Sequence, residues 1–235
     1  MKAVILAAGR GTRMPEITKE KPKCLIDIGV KTILERQIDL LFRNSIKKIY
    51  VVSGYKSEKV IEVIGEIDNV EIIENKEYAT TDNIYSLYLT INKLKGQEFI
   101  LLNGDTVFEE KIIKMLVFKK GFDIAPIDSK HYDFEELKIR EKKGIVLEIL
   151  PKNASKEMSN GSTIGIFKFS SIGSKELFSE IENLVEQEVK NKWFEYALNN
   201  IFKRIKMYTL DIHGLKWIEI DTKEDIEKAL TLFGE

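Results

Sequence analysis

The chain alternates between two hydrophobic periods, that of an extended strand and that of an amphipathic helix. Short aliphatic and β-branched runs are separated by longer stretches with an apolar residue every three or four positions. The pattern predicts strands at residues 3–6, 48–52, 70–74, 98–102 and 206–211. It predicts helices at residues 32–44, 56–67, 86–94, 175–187 and 192–202. Such alternation is typical of an α/β fold with a mostly parallel sheet and helices on both faces.

The pattern changes over residues 122–170, where short strands are separated by turn signals. The stretch EELKIREKKGIVLEIL predicts a hairpin that turns at residues 142–144. We interpret this segment as a small β insertion, or lid, over the edge of the sheet where the strands end. With 235 residues the chain is long enough for one sizeable core. We therefore expect residues 1–235 to form a single domain that contains the insertion.

Composition excludes several classes of protein. Lysine and arginine number 37 against 38 aspartates and glutamates, so no general positive field favours nucleic acid or a membrane surface. The one cysteine, Cys24, cannot form an internal disulfide. The N-terminus lacks signal-peptide order, and no apolar run approaches the 18 residues that span a bilayer. We expect a cytoplasmic protein without membrane insertion, whose anion sites are local.

A glycine-rich loop, LAAGRGTR at residues 6–13, follows the first predicted strand. The dinucleotide fingerprint is incomplete, because Met14 stands where its third glycine belongs, and the chain has no Gly-Lys-Ser/Thr phosphate loop. What remains is a bare turn with two cations, Arg13 and Lys23, which suits a triphosphate. The alternative is that the glycines only form a turn and that both cations are solvated.

Two aspartates stand at the ends of predicted strands. Asp105 follows FILLNG, and Asp221 follows the alternating segment Trp217-Ile-Glu-Ile. Taken singly, Asp105 is explained by a turn and Asp221 by a helix N-cap. At one edge with a phosphate loop, two carboxylates suit Mg²⁺, which prefers hard oxygen ligands together with substrate phosphates. Glu219 has the same strand parity as Asp221 and is an alternative ligand.

Four segments, LAAGRGTRM, EKPKCLIDI, LLNGDTVF and WIEIDTKEDIEKA, resemble in order and spacing the nucleotidyltransferases that make activated sugars and activated phospho-alcohols. The resemblance covers most of the chain. It implies a Rossmann-like three-layer α/β/α fold of the nucleotide-diphospho-sugar transferase type. It also implies a reaction in which a substrate phosphate oxygen attacks the α-phosphorus of a nucleoside triphosphate and expels pyrophosphate.

The same resemblance implies roles for individual residues. Arg13 would hold the β- and γ-phosphates, and Lys23 would neutralise charge at the α-phosphate. Asp105 and Asp221 would hold Mg²⁺ as the cofactor. The nucleotide would be contacted by Leu6, Ala7, Ala8, Gly9 and Gly11. Transfer of this type depends mainly on alignment and charge stabilisation, so no general base is required.

The segment TTDNIYSLYL resembles the cytidylyltransferases that act on phosphocholine and on related small phospho-alcohols or phosphonates, as do EELKI, NGSTIGIFKFS and KWFEYALNNI. A departure is Ser162-Thr163, where related sequences often have an acid. The resemblance implies CTP and a small phosphorylated acceptor as partners. Asn83 either contacts the nucleotide or caps a helix. Alternatives are a sugar-1-phosphate uridylyl- or thymidylyltransferase and a catalytically silent nucleotide-sensing module. The oligomeric state, including a homodimer, stays open.

A choline-like acceptor requires aromatic faces around its cation and an acid nearby. The candidate rings and acids are Tyr132, Phe134, Trp193, Tyr196, Glu136 and Glu195. Trp193 and Tyr196 are three residues apart, which predicts one shared helix face. With Glu136, they are our candidates for acceptor binding. The alternative is that the rings belong to the core.

Overall fold

The computed structural model describes residues 1–132 and 135–234. Its strands are β1 Lys2–Ala7, β2 Asp27–Ile28, β3 Lys31–Thr32, β4 Lys48–Ser53, β5 Val70–Glu74, β6 Phe99–Asn103, β7 Thr106–Phe108, β8 Asp123–Asp128, β9 Lys138–Lys142, β10 Ile145–Leu150, β11 Gly161–Thr163, β12 Ile166–Phe169, β13 Met207–Asp211 and β14 Trp217–Glu219. Its α-helices are α1 Pro15–Thr18, α2 Ile33–Arg43, α3 Ser57–Ile64, α4 Asn83–Tyr88, α5 Ile91–Leu94, α6 Glu110–Phe118, α7 Ser171–Glu186, α8 Phe194–Ile201 and α9 Lys223–Phe233. Short 3₁₀ turns lie at Lys23–Leu25 and Lys156–Met158.

A ten-stranded sheet forms the centre of the structure, in the order β11-β9-β10-β13-β8-β12-β6-β1-β4-β5. Strands β6, β1, β4 and β5 run parallel, so their carboxyl ends meet at one edge. Beyond β6 the sheet becomes mixed: β12 is antiparallel to both β6 and β8, and only β8 and β13 pair in parallel. The predicted mostly parallel arrangement therefore holds for the half of the sheet that contains the glycine loop.

Helices cover both faces of this sheet, because successive residues of each central strand point to opposite sides. In β1, Val4 and Leu6 pack in one apolar cluster with residues of α4, α7 and α8. Ala3 and Ile5 pack in the other cluster, with residues of α2, α3 and α6. The predicted three-layer α/β/α fold is confirmed.

The segment predicted as a β insertion extends the central sheet instead of forming a separate layer. Strands β8 and β12 lie inside the sheet, and β9 and β10 form the predicted hairpin. Its two-residue turn, Lys143-Gly144, has positive φ at both positions, 55° and 75°. This is the backbone conformation that matches the twist of a tight hairpin. The hairpin places residues 135–137, which precede β9, beside the carboxyl edge of the parallel strands.

The predicted helix at residues 86–94 consists of two short helices, α4 and α5. The break falls at Thr90, whose hydroxyl donates to the carbonyl of Leu87 at 2.7 Å. A threonine side chain that bonds the local backbone competes with the helical pattern and ends the first helix. No helix within the described residues is both long enough and apolar enough to cross a bilayer.

Candidate active site

A cavity of about 340 Å³ opens at the carboxyl ends of β1 and β6. The glycine loop forms one wall, and the segment before β9, together with Trp193 and Glu195, contributes to another. Its floor carries the ends of β6 and the segment after β14. A crevice beyond the carboxyl ends of parallel strands is the usual ligand site of an open α/β sheet.

Two glycines allow the backbone segments around the cavity to approach each other. Gly11 has φ of +67°, and a Cβ there would lie 2.9 Å from the Thr18 methyl group and 3.2 Å from Lys23 Cβ. At Gly104 a Cβ would lie 2.8 Å from the carbonyl oxygen of Leu6. Any larger residue at either position would push the loop or the end of β6 away from the cavity.

Three carboxylates meet on the floor. Strand β14 pairs with β7, and the Ile220 amide donates to the Asp105 carbonyl at 3.0 Å, which brings the two segments together. Ile220 is fully buried, so its neighbours Glu219 and Asp221 point to the opposite side, into the cavity. Oxygens of Asp105, Glu219 and Asp221 lie within 4.8 Å of one another.

The Lys23 ammonium lies between two of these carboxylates. Its Nζ is 2.8 Å from Asp105 Oδ2 and 2.5 Å from Asp221 Oδ1. Burial by itself would lower the pKa of Lys23, but the charges and hydrogen bonds of the two aspartates outweigh it and raise that pKa above its ordinary value. Lys23 therefore stays charged at any physiological pH.

The surroundings of Glu219 disfavour its charged form, because its carboxylate lies beside those of Asp105 and Asp221. Burial, followed by the charges of Asp105 and Asp221, raises the pKa of Glu219 well above its ordinary value. Arg13 balances part of this charge: its Nη1 lies 2.5 Å from Asp221 Oδ2 and 2.8 Å from Glu135 Oε2. Arg13 and Lys23 thus balance only part of the negative charge of a cavity whose lining carries more carboxyl groups than cations.

The donor set fits a hard divalent cation. All three residues offer carboxylate oxygens, and Oδ1 of Asp105 is buried without a hydrogen-bond partner. An unpartnered buried carboxylate oxygen is costly in a protein interior and is relieved by a cation. Mg²⁺ takes one or two carboxylates together with substrate phosphates and waters. Asp105, Glu219 and Asp221 are therefore the residues that could hold such an ion.

Most of the predicted site residues lie around this cavity. The lining includes Leu6, Ala7, Ala8, Gly9, Gly11, Arg13, Lys23, Asn83, Asp105, Glu136, Trp193 and Asp221. Tyr196 does not line it. The structure thus brings the predicted residues of the glycine loop and the floor to one cavity, together with Glu136 and Trp193 but without Tyr196.

Asp221 and Asn83, the two residues that the sequence suggested as helix N-caps, do not cap the helices that follow them. Helix α9 is capped by Thr222, whose capping box includes Asp225, so Asp221 stays available to the cavity. Helix α4 is capped by Asp82, whose Oδ1 accepts from the Asn83 amide at 2.7 Å. Asn83 lines the cavity, but its Oδ1 accepts from the Phe194 amide, which is the first orphan donor of α8.

The prediction that Trp193 and Tyr196 share a helix face is wrong. Helix α8 begins at Phe194, and Trp193 is its extended N-cap residue with ψ of 148°. Trp193 therefore lines the cavity, whereas Tyr196 lies outside the lining and 47% of its surface is exposed. Tyr132 also lies outside the lining and donates its hydroxyl to the Ala154 carbonyl. Phe134 lies outside the described residues.

Asp82 and Lys152 are two of the charged lining residues that sequence reasoning missed. Lys152 belongs to the polar stretch KNASKEMSNGS, which carries no motif, and its Nζ lies 5.5 Å from the centre of the Trp193 ring. Its position depends on the long-range pairing of β10, so no local signal identifies it. The Asp82-Asn83 dipeptide did carry a capping signal, and assigning the cap to Asp82 would have found that residue.

Comparisons with known proteins agree with this geometry. The family model described as MobA-like NTP transferase domain matches residues 3–198. The bifunctional protein GlmU of Methanococcus maripaludis is 31% identical over 99% of this chain and 54% of the relative, so the chain spans about half the length of that relative. CTP:phosphoglutamine cytidylyltransferase of Campylobacter jejuni is 27% identical over 97% of this chain and 98% of the relative.

The fold is also that of a solved structure, CTP:phosphocholine cytidylyltransferase (LicC) from Streptococcus pneumoniae. The TM-score is 0.83 at 24% identity, and the match covers 98% of both chains. The predicted resemblance to nucleotidyltransferases is thereby confirmed. Because the family model covers well over half of the 235 residues, the chain belongs to the MobA-like NTP transferase domain family.

Proposed function

We propose that this protein is a CTP-dependent cytidylyltransferase that joins CMP to a small phosphorylated alcohol or phosphonate, similar in size to phosphocholine, and releases pyrophosphate. The observation that carries the proposal is the position of Lys23, between Asp105 and Asp221 and beside the glycine loop. This arrangement supplies a cation and candidate metal ligands at one point of a cavity of about 340 Å³. We propose further that residues 1–235 act as one domain, with residues 122–170 covering the acceptor side.

In the proposed reaction, an oxygen of the acceptor phosphate attacks the α-phosphorus of CTP. A new P–O bond forms as the bond from the α-phosphorus to the bridging oxygen breaks, and pyrophosphate leaves with that electron pair. The acceptor oxygen is already anionic, so no proton has to be removed. Bound Mg²⁺, held by Asp105, Asp221 and Glu219, would neutralise charge on the phosphates.

Arg13 of the glycine loop and Lys23 exchange their carboxylate partners for phosphates when the nucleotide binds. Lys23 moves its ammonium from the aspartates to the α-phosphate, where negative charge builds up during transfer. Arg13 gives up Asp221 and Glu135 for the β- and γ-phosphates, which a guanidinium grips with two parallel hydrogen bonds. Lys23 then acts at the α-phosphate, where the bond is made and broken, and Arg13 acts on the pyrophosphate that leaves.

CTP is favoured over other nucleotides by two observations. The Campylobacter jejuni relative, whose name specifies CTP, matches this chain along nearly the full length of both proteins. The segment TTDNIYSLYL, which resembles the cytidylyltransferases, supplies Thr81, Asp82, Asn83 and Ser86 to the cavity. The second candidate is a sugar-1-phosphate uridylyl- or thymidylyltransferase. A silent module is disfavoured, because such modules lose a lysine or a metal ligand, and Lys23, Asp105 and Asp221 are present.

The test is pyrophosphate release with Mg²⁺, in which CTP, UTP, dTTP, ATP and GTP are each combined with phosphocholine, phosphoethanolamine, aminoethylphosphonate, inositol phosphate and glucose-1-phosphate. We expect signal with CTP and a small acceptor, abolished in Asp105→Asn and retained in the exposed control Asp68→Asn. Signal confined to UTP or dTTP with the sugar phosphate would move the protein to the second candidate. Activity of Asp105→Asn near that of the wild type would remove Asp105 from the metal site.

A further inference from the structure

One buried carboxylate of the cavity has no counter-ion. Glu195 is 6% exposed and lines the cavity, and its Oε2 has no hydrogen-bond partner. Across residues 1–132 and 135–234, no lysine, arginine or histidine nitrogen lies within 4.0 Å of its carboxylate. A buried oxygen left without a donor costs about 1–3 kcal/mol, and more when it is charged. A ligand that brings a donor to this oxygen recovers that free energy.

Glu136, the other acid predicted for the acceptor, differs from Glu195 in having protein nitrogens beside its oxygens, and its Oε2 likewise makes no hydrogen bond. Its Oε1 lies 3.2 Å from His131 Nε2, and its Oε2 lies 4.0 Å from the Nζ of buried Lys138. Asp82 lines the cavity near Glu195 and adds negative charge there. Glu195 is therefore the acid on this side of the cavity that forms no ion pair with the protein, and an ammonium brought by a ligand would favour its charged form.

Lys152 provides the opposite charge between the two ends of the cavity. Its ammonium acts electrostatically both on Glu219 of the carboxylate cluster and on Glu195. A ligand that spans this distance meets Lys23 and the carboxylates that could hold a metal at one end, Lys152 between the ends, and Glu195 with Asp82 at the other. The arrangement suits a small zwitterion with an anionic head and a cationic tail.

The described residues supply fewer rings to the cavity than a quaternary ammonium cage needs. Within the described residues the aromatic lining consists of Tyr78 and Trp193. Tyr78 packs against Tyr55, with ring centres 6.1 Å apart, and its Cβ lies beside Gly54. Trp193 already carries Lys152 over its ring. A trimethylammonium group has no N–H to donate and is recognised by several aromatic faces.

We propose that the acceptor is a small phosphorylated or phosphonylated primary amine, whose ammonium donates a hydrogen bond to Glu195 while Lys152 faces its phosphate. This inference rests on the proposed cytidylyltransferase function and narrows its acceptor. It separates phosphoethanolamine and aminoethylphosphonate from phosphocholine, because methylation of the nitrogen removes the donors. It makes Glu195 the residue that selects the acceptor.

The first measurement is kcat/KM with CTP for phosphoethanolamine, its N-methyl and N,N-dimethyl derivatives, and phosphocholine. The four compounds share one phosphate and one chain length. We expect kcat/KM to fall along the series once the last N–H is lost, with phosphoethanolamine at least about tenfold better than phosphocholine, since an unmet buried polar group discriminates strongly. Equal values, or a preference for phosphocholine, would overturn the inference.

The second measurement repeats the comparison in Glu195→Gln, which keeps the size of the side chain and removes the carboxylate that would pair with the ammonium of the acceptor. The ratio between phosphoethanolamine and phosphocholine should collapse to within about threefold through a higher KM for the amine, while the KM for CTP stays unchanged. The matched control is Glu188→Gln, at a side chain that is 80% exposed and outside the cavity lining. An unchanged ratio in Glu195→Gln would also overturn the inference.

Failure of the inference and failure of the proposed function give different results. Calorimetric binding of CTP with Mg²⁺ reports the nucleotide site independently of the acceptor. A chain that binds CTP and turns over phosphocholine or a neutral acceptor, but not the primary amines, contradicts the inference alone. A chain that binds no CTP contradicts the cytidylyltransferase itself.

Discussion

Lys23 occupies the place that a divalent cation needs, so its removal should strengthen metal binding while it destroys turnover. In the unliganded protein the ammonium makes hydrogen bonds of 2.8 and 2.5 Å to Asp105 and Asp221. A metal that enters without nucleotide has to displace this ammonium into a site with no phosphate to receive it. In Lys23→Met the side chain keeps its apolar stem, and the three carboxylates are left without that competitor.

The expected magnitude follows from the bonds that the metal no longer has to break. A hydrogen bond to a charged group contributes about 1.5–3 kcal/mol net. If one such bond is lost on metal entry, its absence tightens metal binding about ten- to hundredfold, at about 1.4 kcal/mol per factor of ten. Turnover should fall in the same variant by about 10² to 10³, as for loss of a charge at the reacting centre.

The assay is a titration of Mn²⁺ followed by the electron paramagnetic resonance signal of the free ion, without nucleotide. Lys21→Met is the matched control. Lys21 belongs to the same segment as Lys23, but it pairs with Asp27 and does not line the cavity. Its Mn²⁺ affinity should equal that of the wild type. If Lys23→Met binds Mn²⁺ no more tightly than the wild type, the ammonium does not compete with the metal and the exchange described for Lys23 is wrong.

Three further outcomes are expected. Gly104→Ala should lower the melting temperature by about 2–12 °C, because the new Cβ falls 2.8 Å from a backbone oxygen and such overpacking costs about 1–3 kcal/mol. Gly9→Ala, where a Cβ meets nothing within 4 Å, is the control in the same thermal scan. Lys168→Met should destabilise by about 3–5 kcal/mol in urea without changing kcat, because the buried ammonium donates to Glu98 and to two carbonyls; an effect no larger than that of exposed Lys175→Met would contradict this. Burial raises the pKa of Glu195 from its ordinary value of 4.5 to about 8, so between these pH values the folded chain holds a proton that the unfolded chain releases. The free energy of unfolding should therefore fall as pH rises from 4.5 to 8, and Glu195→Gln should lose that slope; the same pH dependence in both proteins would refute it.

Local signals predicted much of the fold. Helix α2 begins after Thr32, whose hydroxyl and Glu35 form the capping box, and the hairpin turns at Lys143-Gly144 as its residues require. Both features are decided within a few residues of chain. The mixed half of the sheet was not predicted, because strand order depends on pairings such as β12 with β6, which join distant segments.

The candidate site divides in the same way. The loop and the floor could be predicted because Gly11, Asp105 and Asp221 each follow a strand, and Lys23 lies in the recognisable segment EKPKCL after the loop. The acceptor side could not, because Lys152 reaches the cavity through tertiary pairing. The spacing of Trp193 and Tyr196 predicted a shared helix, but α8 begins one residue after Trp193, so Trp193 is not part of that helix.

The most direct test of nucleotidyl transfer is the ³¹P nuclear magnetic resonance spectrum of CTP, Mg²⁺ and phosphoethanolamine incubated with the protein. The account predicts that the CTP signals are replaced by equal amounts of free pyrophosphate and a new diphosphate diester, and that this exchange is absent in Lys23→Met. Conversion of CTP to CDP and inorganic phosphate would show hydrolysis at a different phosphorus. That result, or an unchanged CTP spectrum with every small phosphorylated acceptor, would contradict the central claim.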